Sequence, residues 1–219
     1  MFKIQKFDFL VSFYILCIAL SELMGAKTFP LITIFGYQLN ASVAVLVLPF
    51  VYAIDDVITE IHGKYRANSI VRSGLFMVLF IMIFSLIVTH LPPSSRFQST
   101  ELAYETIFGL SARISASSLT AFALAEFLDV FIFSRLRQRF GKKRLWLRTN
   151  ISNFISQFID TAVFMTLAFY AFDKSPNNNL IFLTSIILPY WLIKCFMSVI
   201  ETPFVYFGVH WLRKGQTEK

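Results

Sequence analysis

Charge is what this chain has least of. Only 15% of its 219 residues are Asp, Glu, Lys or Arg, where soluble domains carry roughly a quarter. With 56% hydrophobic residues, a single soluble core of this size could not hide the apolar surface. Cysteine is scarce too: Cys17 and Cys195 lie far apart inside apolar stretches, which excludes a Cys-x-x-Cys redox centre or zinc knuckle and predicts two packing thiols. His62, His90 and His210 are isolated near the ends of apolar runs, so His-Glu-x-x-His chemistry is excluded. There is no Gly-x-x-x-x-Gly-Lys-Ser/Thr loop and no Gly-x-Ser-x-Gly, which removes ATP hydrolysis and serine hydrolysis by those routes. No catalytic residue, metal ligand or cofactor is expected. The first apolar stretch carries Glu22 and lacks a small-residue cleavage site, so it reads as a retained helix rather than a leader.

What the chain has is apolar length. A spanning helix needs about 20 apolar residues. The sequence offers six such stretches, roughly 9–24, 41–60, 70–91, 114–133, 150–172 and 180–212. The fold class expected is therefore an all-α integral membrane protein of six transmembrane helices, residues 1–219 forming one polytopic domain. Pro30 and Gly36 interrupt a short run after the first span, leaving a broken helix, an extended segment or a re-entrant piece open there. Pro92-Pro93 ends the third span, Asp173–Asn179 has turn composition, and Pro189 and Pro203 are expected to kink the last helix.

The net charge is +7, but its placement points to topology, not to nucleic acid. Lys3, Lys6, Lys64, Arg66, Arg72, seven cations between Arg135 and Arg148, Arg213, Lys214 and Lys219 fall on one side, and only Arg96, Arg113 and Lys174 on the other. The positive-inside rule then places both termini in the cytoplasm.

Acids and amides kept at bilayer depth are costly, about 2.5–3.5 kcal/mol per charge on insertion scales. Asn150, Asn153, Gln157 and Asp160 recur at i, i+3, i+7 and i+10, one face of a helix. They form either a stripe lining a cavity or a hydrogen-bonded seam between helices. Glu126 and Asp129 stand at i, i+3 and need a cation, a proton or a partner; Asp129 could meet Arg135 or Lys143. Lys194 and Glu201 share a face of the last span, and Lys194 is an evident counter-ion for Asp160 or another buried acid. Asp56 and Glu60 end the second span beside Gly63, Lys64 and Arg66, either at a site or as a solvated cap. Phe158, Tyr190 and Trp191 are belt or core residues, or stacking partners for a flat ligand.

Two segments resemble the queuosine-precursor transporter family, also called the vitamin uptake transporter family. One runs from Leu48 to Ala67 and contains Tyr52-Ala53-Ile54-Asp55-Asp56 and Glu60-Ile61-His62-Gly63. The other runs from Ala125 to Phe172 and contains Trp146-Leu147-Arg148-Thr149-Asn150 and Ser156-Gln157-Phe158-Ile159-Asp160-Thr161. Lys194 and Glu201-Thr202-Pro203 fit the family's last helix. The resemblance covers most of the chain from Ala26 to Tyr206. It implies a six-helix inner-membrane importer of 7-cyano- and 7-aminomethyl-7-deazaguanine for queuosine salvage. By matching position it marks Asp56, Glu60, Asp129, Arg148, Asn150, Gln157, Asp160, Lys194 and Glu201. His62 stands where the family usually has tyrosine, and Glu126 where it has an uncharged polar residue. The partners expected are a deazaguanine base and the lipid bilayer, with no nucleic acid; a homo-oligomer stays open. Competing readings are a substrate-binding subunit that borrows an ATP-driven module, an intramembrane enzyme, or a membrane assembly factor.

Overall fold

The computed structural model describes residues 5–34, 36–140, 145–200 and 202–213. Among them the chain runs through α1 (Lys6–Met24), β1 (Thr28–Ile34), β2 (Tyr37–Ser42), a 3-10 turn (Val43–Leu46), α2 (Leu48–Val88), α3 (Glu101–Phe140), α4 (Leu145–Phe169), α5 (Pro176–Ile200) and α6 (Thr202–Arg213). Four helical stretches are long and apolar enough to cross a bilayer, Lys6–Met24, Tyr65–Val88, Glu101–Ala125 and Pro176–Phe196, and Phe154–Phe169 is a shorter apolar helix. The protein is a mostly helical, multi-pass membrane protein.

Several boundaries differ from those expected. The run interrupted by Pro30 and Gly36 is the extended alternative: β1 and β2 pair as a two-stranded sheet, with Gly36 at φ 80° in the turn. The stretch from 41 opens with the end of β2 and the 3-10 turn, so its α-helix starts only at Leu48. Helix α3 starts at Glu101, inside the gap left between the expected spans 70–91 and 114–133; one helix here absorbs both Glu101–Arg113 and the apolar run behind it. The Ser-Pro-Asn-Asn-Asn segment is not all turn. Pro176 is the first residue of α5 and the Ser175 hydroxyl accepts from the Asn178 N–H at 3.3 Å, an N-cap with proline just inside it. Helix α5 continues through Pro189 to Ile200, and α6 runs from Thr202 with Pro203 as its second residue; the bend expected near Pro203 falls at Glu201, which lies outside the described residues.

The chain forms two compact units, residues 1–28, 42–115 and 196–219, and residues 29–41 and 116–195. In the first, α2 is broken at Gly63, whose φ 79° and ψ 162° are non-helical. That region is closed to almost every residue but glycine. The chain folds back there. Ile54 and Ile58 before the break and Ala67 and Ile70 after it join one core cluster around Tyr14 of α1. On a straight helix Ile54 and Ile70 would stand about 24 Å apart. Phe7 meets His62 with ring centroids at 4.3 Å and lies 5.7 Å from the Arg66 guanidinium, so the start of α1 lies at the tip of this hairpin. The Lys6 ammonium donates to Trp211 O at 2.8 Å, which brings the end of α6 to the same place. Gly208 packs on Val57 so closely that an added Cβ would stand 2.7 Å from it. At the far end of α1, Ser42 Oγ donates to Gly25 O at 2.6 Å and Ser111 Oγ to Leu23 O at 2.9 Å.

In the second unit, Asn40 Nδ2 donates to Ser185 Oγ at 2.9 Å and ties β2 to α5. Asn179 closes the connection between α4 and α5: its Oδ1 accepts from Ala171 N at 2.9 Å and its Nδ2 donates to Ala171 O at 2.8 Å.

Candidate functional site: an ion pair beside an aromatic cluster

Helix α4 runs unbroken through residues 150–160, so Asn150, Asn153, Gln157 and Asp160 fall on one face by register. The side chains of Asn150 and Asn153 lie outside the described residues, as do those of Glu126, Asp129 and Arg148 and the whole of Glu201. Gln157 is exposed; its backbone carbonyl accepts from Thr161 Oγ1 at 2.8 Å.

Asp160 is where the structure converges. The Lys194 ammonium of α5 donates to Asp160 Oδ2 at 2.7 Å, with side-chain exposures of 11% for Lys194 and 28% for Asp160. An ammonium this enclosed would be costly without a partner, and the carboxylate supplies it. One carboxylate oxygen is committed to Lys194, and the group keeps an accessible side. One turn before Lys194, Trp191 packs edge-on against Phe154 at 4.5 Å and Phe158 at 5.3 Å between ring centroids. Phe154 and Phe158 are i, i+4 on α4 and bracket Gln157, while Tyr190 lies 5.9 Å from the Lys194 ammonium. The result is a carboxylate paired with its own counter-ion, an amide one turn away, and aromatic faces alongside. That set can accept two adjacent N–H donors, donate to a carbonyl and stack on a flat ring. The part played by Phe154 escaped the sequence reading; its spacing of four from Phe158, on the flank of the polar stripe, was the available signal.

Asp56 and Glu60 belong to the first unit, both exposed on the first arm of α2, with the half-buried Asp55 between Ile54 and Asp56. Glu22 is 5% exposed on α1, next to Leu23, whose carbonyl takes the Ser111 hydroxyl. Among the described residues no three His, Cys, Asp or Glu side chains gather as a metal site.

A family profile described as "putative vitamin uptake transporter" matches residues 42–208. The chain is 32% identical over 173 residues, 78% of its own length and 72% of the other's, to a probable queuosine precursor transporter of Bacillus subtilis (strain 168). It is 31% identical over 136 residues to a probable queuosine precursor transporter of Haemophilus influenzae, and 32% identical over 130 residues to the queuosine precursor transporter of Escherichia coli (strain K12). These two matches cover 61% and 59% of this chain, and each covers 54% of the relative. No solved structure matches the chain.

Proposed function

The chain belongs to the vitamin uptake, or queuosine-precursor, transporter family, and on that premise we propose that it imports queuosine precursors across the cytoplasmic membrane. The substrates are 7-cyano-7-deazaguanine, 7-aminomethyl-7-deazaguanine or both, and the chain is a transporter rather than an enzyme. Residues 1–219 act as one polytopic domain of six spans with both termini inside. The two spans beyond the four apolar ones are the acid-bearing first arm of α2 and helix α4. The meeting of the α1 start, the Gly63 tip and the end of α6 supports this topology, since it sets Lys6 and Arg66 at one end of the unit.

The observation that carries the proposal is the Asp160–Lys194 pair beside Trp191, Phe154 and Phe158. A guanine-like edge presents adjacent N–H donors at N1 and N2, which a carboxylate accepts together, and O6 asks for a donor. In this reading Asp160 takes the N1/N2 edge and shares its charge with Lys194. Gln157, or Asn153 one turn earlier, donates to O6, and the aromatic cluster takes the ring face. Lys194 holds Asp160 Oδ2 and orients the carboxylate, leaving its accessible side for the base. Asn150, Glu126 and Asp129 belong to the same polar path in this proposal, and Asp56, Glu60 and Glu201 are further candidate binding residues by their positions in the family pattern.

The test uses cells that cannot make the base and are fed either precursor. Asp160→Ala is expected to reduce precursor-dependent queuosine in tRNA to background at normal membrane abundance. Undiminished modification in that variant removes Asp160 from the site.

A further inference from the structure

An open groove of about 290 Å³ runs along the second arm of α2, lined by Tyr65, Asn68, Ser69, Arg72, Ser73 and Phe76. Steps of three and four place all six on one face of the helix. Tyr65 is 91% and Phe76 69% exposed, so this face is uncovered among the described residues. The same face continues through Phe80, Ile83, Phe84 and Ile87, all exposed, with the Phe80 and Phe84 rings stacked at 5.9 Å. The uncovered strip therefore changes character once: polar from Tyr65 to Ser73, about 12 Å at the helical rise, then apolar from Phe76 to Ile87, about 16 Å. The apolar part matches half of a hydrocarbon core about 30 Å thick.

Arg72 sits at the join. A helical side chain leaves its backbone tilted toward the helix N-terminus, which for Arg72 is toward Asn68, Ser69 and the Tyr65 end. Its guanidinium therefore reaches toward the membrane surface, not the bilayer centre, as long basic side chains do near helix ends. Beside it stand two hydroxyls and an amide. We propose that this groove binds the phosphate-bearing headgroup of an anionic phospholipid, in the leaflet on the Gly63 side. Arg72 pairs with the phosphate, Ser69 and Asn68 donate around it, and one acyl chain lies along the phenylalanine lane, while the Ser73 hydroxyl donates to Ser69 O at 3.0 Å. A lipid is the occupant whose own polarity changes where the strip changes. A second copy of the chain fits worse: parallel copies about a twofold axis normal to the membrane would set Arg72 against Arg72. The inference depends on the arm 64–88 lying in the bilayer, as its length and hydropathy dictate, and not on which solute the protein carries.

The experiment is native mass spectrometry of the delipidated full-length protein, offered phosphatidylglycerol or phosphatidylcholine. Phosphatidylglycerol is expected to be retained in preference. Arg72→Gln should lower its retention about fivefold, the loss of roughly 1 kcal/mol that one basic residue contributes at an anionic surface. Arg72→Lys should keep most of it, Arg96→Gln in the exposed loop should change nothing, and millimolar inorganic phosphate should not displace the lipid. Equal retention of both lipids overturns the proposal, as does an unchanged Arg72→Gln or displacement by free phosphate. A wild-type dimer that Arg72→Gln dissolves also overturns it, since the face would then be covered by a second copy. Where Arg72→Gln does not fold, the pair Asn68→Ala/Ser69→Ala decides, with an expected loss of about fivefold from two hydrogen-bond donors.

Discussion

Removing either end of the Asp160–Lys194 pair takes the opposite charge away from the other, and the two ends are not equally enclosed. Breaking a fully buried pair costs about 3–5 kcal/mol, while an exposed pair contributes about 0–1 kcal/mol. Asp160→Asn takes the carboxylate charge from Lys194, which is 11% exposed, and Lys194→Met takes the ammonium from Asp160, which is 28% exposed. The first variant should therefore lose about 3 kcal/mol and the second about 2 kcal/mol. The double variant leaves no stranded charge and should lose only about 2 kcal/mol, an interaction energy of about 3 kcal/mol between the sites. The assay is SDS-driven unfolding of the purified protein in mixed micelles, followed by far-ultraviolet circular dichroism. Additive single losses, each below about 0.5 kcal/mol, would refute the reasoning and reduce the pair to a surface contact. The same double variant separates the two roles of the pair: a stable protein that no longer supports uptake places the carboxylate on the solute, and a stable, active one leaves it holding α4 to α5.

Two further outcomes follow from backbone geometry. Gly63→Ala forces a side chain into a conformation nearly closed to it, although no neighbouring atom stands within 4 Å of the added carbon; a loss of about 1–3 kcal/mol is expected in the same unfolding assay, and none would mean the tip relaxes freely. Asn179→Ala removes both bonds to Ala171 and strands its N–H, while its C=O keeps the Lys174 N–H at 3.3 Å; about 1–2 kcal/mol should go, read as a lower thermal midpoint.

The sequence was most readable where cost and periodicity agree. A stripe at i, i+3, i+7 and i+10 with an acid in it, and a lysine on another apolar helix, leave few other partners, and the structure pairs Lys194 with Asp160. It was least readable where one residue decides. Nothing in the pattern around Gly63 distinguishes a helix that passes through a glycine from one that reverses there, because helix formers flank it on both sides. The start of α3 was hidden for the opposite reason: Glu101–Arg113 is polar enough to resemble a loop, yet Glu, Leu, Ala and Arg are good helix formers. The Ser175-Pro176 cap was legible from its chemistry and was masked by three asparagines that look like a turn. Strand pairing of residues 28–42 lay beyond a short apolar run cut by Pro30 and Gly36, which is equally compatible with several backbones.

The one-residue reversal at Gly63 bears on how the chain enters its membrane. The first arm of α2 carries Asp55, Asp56 and Glu60 within fifteen residues, and three charges at about 2.5–3.5 kcal/mol each would keep such a segment out of lipid by itself. Its neighbour, 25 residues of mostly apolar helix beginning immediately after the glycine, has the opposite tendency. With no slack between them, in the six-span topology proposed above the reluctant arm is drawn in by the willing one, and the two partition as a single folded pin.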